Sequence, residues 1–401
     1  MRLKSHRNKG YKIPKYDRIF DGSSRRRKKK IRNTVIFVIV VLLLVFVGYS
    51  ISGPLVNLLK GEKTERPGQN SSSTSSLGVQ NENTSSSLTS SETPTVQGND
   101  LQAVYLPLET AKNAEALSAF LANVKAIGYN SVVLELKDEN GTLYYQSQVE
   151  MAKNVGAVSA SAALNVSQIV SQIKEASLVP VAKIHAFKDK IATKNADAKI
   201  RYKGKEGWSW FDAENGKPWL NPYSTAAQNY ITSIALELAD AGFENVMVSS
   251  VMFPSVYSFA LADFGALEAT VSHKDILMQY TASLKDALNS KNAKLLLSYD
   301  ATQASNAENV IYGGADPKAF SADVYVPLVG ADIVNSDASA DTGSHQASKL
   351  EEFVSRFASG ETALMVEISA DALSKEQIEL FKNSCKDCGI YIYNKNGNYA
   401  G

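Results

Sequence analysis

The chain has 401 residues, 44% hydrophobic and 21% charged, with a formal net charge of +1; at roughly 150 residues per domain that allows two or three units, or one barrel with extensions. The near-neutral total hides a split: residues 1–32 hold 14 Lys and Arg against Asp17 and Asp21, whereas residues 101–401 hold 25 Lys and Arg against 34 Asp and Glu. Phosphate binding needs clustered cations, so the acidic body argues against a nucleic-acid partner.

Residues 1–33 read as a basic cytoplasmic tail attracted to anionic lipid. Residues 34–53 contain an apolar, uncharged run from Thr34 to Ser52, preceded by Arg25-Arg26-Arg27-Lys28-Lys29-Lys30. At 1.5 Å rise per residue the run spans a hydrocarbon core of about 30 Å. Basic residues stay cytoplasmic, so the amino end faces in and the body faces out. The alternative is a cleaved signal peptide. The run exceeds a usual h-region and no small-residue cleavage site follows, which favours an uncleaved signal anchor. The expected location is the cell membrane, single-pass, with the body extracytoplasmic. Residues 54–100 form a Ser/Thr/Asn-rich linker. It buries too little apolar surface to offset chain entropy and is expected to act as a flexible tether.

From residue 101 to 401, strand-like and helix-like segments alternate. The apolar runs are 103–108, 131–137, 179–187, 244–253, 294–300, 323–329, 363–369 and 389–393. Between them lie segments with a 3.6-residue apolar period, such as Ala114, Leu117, Phe120, Leu121 and Val124. Ile231, Ile234, Ala235 and Leu238 mark a second, and Ile276, Tyr280, Leu284 and Leu288 a third. Ser224 is placed to cap a helix start. Eight strands with crossover helices predict an α/β fold, a (β/α)8 TIM-type barrel whose eighth helix is absent or replaced. An open doubly wound sheet is the alternative.

The fourth run ends at Phe253-Pro254, where proline cannot continue a ladder. Ligands bind at the carboxyl ends of such strands. Ser249, Ser250 and Met252 stand there, and none supplies an acid, a base or a cation. The loop after the third strand holds Trp208, Trp210 and Trp219. Their flat faces suit sugar rings, or pack a hairpin lid over the mouth. His185 is a barrel histidine or a sugar-binding donor. Cys385 and Cys388 stand at a helix end; with no second pair zinc is disfavoured, and a local disulfide or two small apolar residues are the readings. No His/Asp/Glu cluster has metal spacing, and neither a metal nor a cofactor is inferred.

The body resembles the DUF4015 family of glycosyl hydrolase domains, distant relatives of the α-amylase-type barrels that are often membrane-tethered in Gram-positive bacteria. The motifs that carry the resemblance are Val104-Tyr105-Leu106-Pro107, Lys137-Asp138 with Asn140-Gly141, and Ala182-Lys183-Ile184 with Phe187-Lys188-Asp189. Further along are Trp219-Leu220-Asn221-Pro222-Tyr223, Gly242-Phe243, Phe253-Pro254 and Ser298-Tyr299-Asp300. The family ends its fourth strand with Asp-Tyr-Val-Arg-Phe-Pro. Here Ser249-Ser250-Val251-Met252-Phe253-Pro254 has lost the Asp, the Tyr and the Arg. In α-amylase relatives that acid is the nucleophile and the Arg keeps it ionised. Glu135 replaces the usual second-strand Asp, and Glu367 replaces the usual Gln.

Glycoside hydrolysis usually needs two carboxyl groups about the scissile bond. The candidates are Glu135, Asp138, Asp189, Asp300 and Glu367, with Asp300 and Glu367 the expected pair. Glu135 is alternatively half of a buried ion pair with Lys183 or Lys137. Candidate sugar contacts are Asp138, His185, Lys188, Asp189, Trp208, Trp219 and Asn221. The resemblance implies a hydrolase-like barrel acting on cell-wall or extracellular polysaccharide, including peptidoglycan-associated glycan. The altered fourth strand points instead to a barrel that binds glycan or protein at the cell surface without turnover.

Overall fold

The computed structural model describes residues 100–159, 164–212, 216–255, 259–306, 309–329, 342–357, 363–371, 373–385, 388–397 and 399. The tail, the apolar span and nearly all of the linker lie outside them. Among the described residues no helix is long and apolar enough to cross a membrane.

Eight parallel strands close into a barrel. They are β1 (Gln102–Tyr105), β2 (Ser131–Lys137), β3 (Val179–His185), β4 (Asn245–Ser249), β5 (Lys294–Asp300), β6 (Val324–Val329), β7 (Ala363–Ser369) and β8 (Gly389–Tyr393). The closed barrel excludes the doubly wound alternative. Four expected strands keep their bounds, while the first, third and fourth stop early. Phe187, Val251 and Phe253 are buried but lie in loops, so apolar character overran the ladder there.

The longer helices are α1 (Ala114–Ala126), α2 (Val166–Glu175), α3 (Thr225–Asp240), α4 (His273–Asn289), α5 (Thr342–Phe357) and α6 (Lys375–Ser384). Their apolar stripes face the barrel, as Leu117, Leu121 and Val124 show in α1. Side chains satisfy orphan amide groups at the helix starts. Ser224 accepts the Ala227 N–H, and Ser374 forms a reciprocal capping box with Gln377. Among the described residues the β5–β6 connection carries only a four-residue helix and short 3₁₀ turns. No helix follows β8 among the described residues; Tyr399 instead packs back, its hydroxyl donating to the Tyr105 carbonyl at 2.8 Å.

Partners in a parallel ladder point to the same face, so register reveals what lines the barrel. Lys183 pairs with Glu135 on one side and Met247 on the other. Met247 leads to Leu296, and Leu296 to Val324. On the far side Glu367 pairs with Leu328 and Tyr391. The floor of the barrel is therefore apolar, with Val133, Val181, Met247, Leu296 and Met365 all buried. One layer up, the lining turns polar.

A register shift between Glu135 and Lys137 breaks the alternation in β2. Without it, residues two apart would share a face. With it, Glu135 stays with inward Lys183 while Lys137 pairs with outward Ile184. Lys137 is fully buried there and forms an ion pair with Asp189 at 2.9 Å. Its ammonium also donates to the His185 carbonyl at 2.6 Å. Removing either partner would strand a buried charge, at about 3–5 kcal/mol. Asp189 additionally accepts the Ala192 N–H at 2.7 Å. Gly141 lets it sit so close: its φ is +93°, and a Cβ there would fall 1.9 Å from the carboxylate. Asp189, expected as a sugar contact, is instead a buried anchor of the β3 loop.

Candidate functional site

The polar layer at the carboxyl ends of the strands centres on Lys183. Its ammonium donates to Glu367 Oε1 at 2.5 Å and lies 5.2 Å from the Tyr391 ring centroid. Glu367 Oε2 accepts from Ser298 Oγ at 3.0 Å. β3 and β7 stand opposite each other in the closed order, so this pair spans the barrel. Asp300 is not Glu367's partner. It turns away to cap the short helix after β5, accepting the Gln303 N–H at 2.9 Å. Ser298, two residues earlier on the same face, takes its place.

Glu135 approaches this pair from β2. Burial raises its pKa to about 7 against a pull from Lys183, helped by Asp138, Glu367 and Glu139. Neither expected ion pair of Glu135, with Lys183 or with Lys137, forms: those lysines take Glu367 and Asp189. Its nearest charged-type neighbour is His185, with Nε2 3.6 Å from Glu135 Oε1. Burial, then Lys183, Lys137 and Lys188, hold His185 well below the usual histidine range, so the contact joins a neutral imidazole. Both side chains keep a solvent face, 17% for His185 and 20% for Glu135. His185 Nδ1 lies 2.9 Å from Ser250 Oγ. Tyr105 and Tyr393 close one wall, ring centroids 4.9 Å apart.

The end of β4 carries no charge, as the sequence indicates. Ser249 is buried and its hydroxyl has no partner, while Met252 is half-buried against the core. Ser250 sits in the left-handed region at φ +57°.

Several expected sugar contacts are structural. Trp219 and Trp210 are buried, 2% and 5% exposed, and pack the lid as ordinary core. Asn221 is buried, donating to the Phe264 carbonyl and accepting the Tyr223 N–H. Asp138 holds the loop after β2, accepting from the Asn140 and Thr142 amides and from the Tyr144 hydroxyl. Lys188 is ion-paired with Glu139. Trp208 alone of the three is open, 60% exposed, with Lys205 Nζ 4.5 Å from its ring centroid. Cys385 and Cys388 are free and buried, so the disulfide expectation fails. The thiols pack as small apolar groups, and a hydrogen bond with Cys388, then burial, push the Cys385 thiol up. Among the described residues no cluster of three or more His, Cys, Asp or Glu could hold a metal ion.

The sequence did not single out Ser298, Tyr391 or Tyr393 as site residues. A signal was present: Lys183 with His185, Ser298 with Asp300, and Tyr391 with Tyr393 are polar groups spaced by two at strand ends.

Residues 103–311 match the DUF4015 family model, described as "Putative glycosyl hydrolase domain". The chain belongs to this family. Its fold is similar to that of the PgaB (BpsB) glycoside hydrolase domain from Bordetella bronchiseptica, with a TM-score of 0.52 at 13% identity, covering 75% of this chain and 94% of that one. The catalytic domain of beta-amylase from Paenibacillus polymyxa gives a TM-score of 0.49 at 10% identity, over 75% and 94% of the two chains. A hypothetical protein from Ruminiclostridium thermocellum gives 0.42 at 21% identity, over 48% and 96%. No curated protein matches the chain.

The family and the barrel make this a glycosyl-hydrolase-like domain, and the mouth offers two carboxyl groups in opposite environments. The raised Glu135 also has a thermodynamic signature. Its folded-state pKa lies above the unfolded value, so the native state binds the extra proton. Its stabilising contribution is complete below the ordinary value of 4.5 and is lost as pH rises through about 7. Thermal melts of wild type and Glu135→Gln across this range should show the wild type losing on the order of 2 kcal/mol relative to the variant. Parallel curves would mean Glu135 titrates normally.

Proposed function

We propose that the barrel hydrolyses a glycosidic bond of an extracytoplasmic or cell-wall polysaccharide. Glu135 is the proton donor, and Glu367, with Lys183 beside it, is the anionic partner. The observation that carries this reading is the pairing of a carboxyl raised to about 7 with a carboxylate 2.5 Å from an ammonium. A general acid works best when its pKa lies near the working pH. The cation-beside-carboxylate arrangement missing from β4 is supplied here by β3 and β7. Asp300 keeps no catalytic part in this scheme.

A second reading is a glycan-binding barrel without turnover. It draws on the fourth strand and on Glu367, which is 4% exposed and has both oxygens engaged. The open Trp208 would serve either reading. It stands on the lid hairpin next to a groove of about 610 Å³ lined by Lys199, Arg201, Tyr202, Lys205 and Asp263. The reading also includes the membrane anchor at residues 34–53 and a tether carrying the domain outward. Protease added to intact cells should then release the barrel; cleavage only after lysis would sink the anchored topology.

The full-length chain, assayed on polysaccharides and aryl glycosides, should show turnover that falls as pH rises through about 7. Glu135→Gln and Glu367→Gln should each lower kcat by about 10²–10⁴-fold. Glycan-dependent tryptophan quenching with no turnover on any substrate would replace hydrolysis by binding.

A further inference from the structure

We propose that Ser250, His185 and Glu135 form a nucleophile, base and positioning acid for acyl transfer, acting on O-acyl esters such as an acylated sugar hydroxyl. This goes beyond glycoside hydrolysis and does not depend on it.

The two ring nitrogens of His185 face one group each. Ser250 Oγ is 2.9 Å from His185 Nδ1, and His185 Nε2 is 3.6 Å from Glu135 Oε1. The second contact lies just beyond hydrogen-bond distance, and catalytic contacts often tighten only when substrate binds. His185 is held neutral, so one ring nitrogen must carry a lone pair. An anionic Glu135 draws the proton to Nε2 and leaves that lone pair on Nδ1, facing the serine hydroxyl.

The backbone presents Ser250 as a nucleophile needs to be presented. Its φ of +57° is a conformation that favours glycine. Strain of this kind persists only where its surroundings enforce it, and it collects at working sites. Here the Phe187 N–H donates to the Ser250 carbonyl at 3.1 Å, and the Ala186 N–H to the Ser249 carbonyl at 2.8 Å. These bonds lock the turn against the end of β3, which also carries His185. A serine on a sharp, strained turn directly after a strand lifts its hydroxyl above the sheet.

The steps balance without any further reactant than water. Ser250 Oγ attacks the ester carbonyl carbon as its proton moves to Nδ1. The adduct collapses, the bond to the alcohol oxygen breaks, and that oxygen leaves with the proton from Nδ1. Water, giving its proton to Nδ1, then attacks the acyl-serine. The serine–acyl bond breaks, Ser250 recovers the proton, and the carboxylic acid departs.

Glu135 must be anionic for this and protonated for glycoside hydrolysis, so the two activities should have opposite pH trends. Burial, then Lys183 from β3, Asp138 and Glu139 from the loop after β2 and Glu367 from β7 set its charge, and the other titratable groups that face it are His185 from β3, Tyr144 from the same loop, and Tyr105, Tyr391 and Tyr393 from β1 and β8.

The test treats the full-length chain with p-nitrophenyl acetate and, separately, a fluorophosphonate, and maps adducts by peptide mass. The expected result is one acetyl or phosphonyl group on Ser250, with acylation quickening as pH rises through about 7. Ser250→Gly suits the left-handed backbone and should stay folded by thermal melt while losing the adduct. Glu135→Gln should slow acylation by about 10²-fold or more and abolish its rise with pH, whereas Glu135→Asp should retain the rise. An unlabelled Ser250, or equal acylation in Ser250→Gly, overturns the proposal. A pH trend unchanged in Glu135→Gln removes Glu135 from it.

Discussion

The ion pair between Lys183 and Glu367 is the constraint around which the mouth of the barrel is arranged. It joins strands on opposite walls at the height where substrate would enter. Ser298 takes the second oxygen of Glu367, and Tyr391 offers its ring to the ammonium. With both partners engaged, Lys183 acts on Glu135 only at longer range. Burial then dominates and the carboxyl titrates near neutrality. A barrel interior is ordinarily filled by branched apolar side chains. Well-packed hydrophobic residues often replace a buried ion pair at no loss of stability. The polar layer therefore suits the proposed chemistry at the mouth better than a role in holding the strands together.

The β2 bulge separates two charge systems that would otherwise compete. Glu135 and Lys137 are two apart and read, on paper, as neighbours on one face. The shift sends Lys137 outward to Asp189 and leaves Glu135 facing Lys183. This is also where reading the sequence falls short. Strand existence was legible because apolar runs of five to ten residues bounded by glycine and proline admit few alternatives. Helix faces and the caps at Ser224 and Ser374 follow the same local rules. Which inward group meets which across a closed barrel depends on register, shear and one bulge, none of which is local.

The lid shows a similar division. Three tryptophans within one loop marked it as unusual, yet composition could not say which of them stay exposed. The strand pairing of Arg201–Tyr202 with Ala262–Asp263 ties the loop after β3 to the loop after β4; Trp210 and Trp219 are buried, while Trp208 remains outside. Likewise, the sequence showed that the end of β4 lacks an acid. It did not show that Ser250 adopts a left-handed conformation against His185, because a positive φ at serine leaves no trace in residue type.

If the Lys183–Glu367 pair serves the site and not the stability of the barrel, the two roles can be separated by removing both charges at once. The decisive measurement is thermal unfolding and polysaccharide turnover of Lys183→Met, Glu367→Leu and the double variant. Each single change should destabilise by about 3–5 kcal/mol, since it leaves one buried charge alone. The double variant should recover most of that loss and yet remain inactive. A double variant as unstable as the singles, or one that keeps full turnover, would contradict the central place given to this pair.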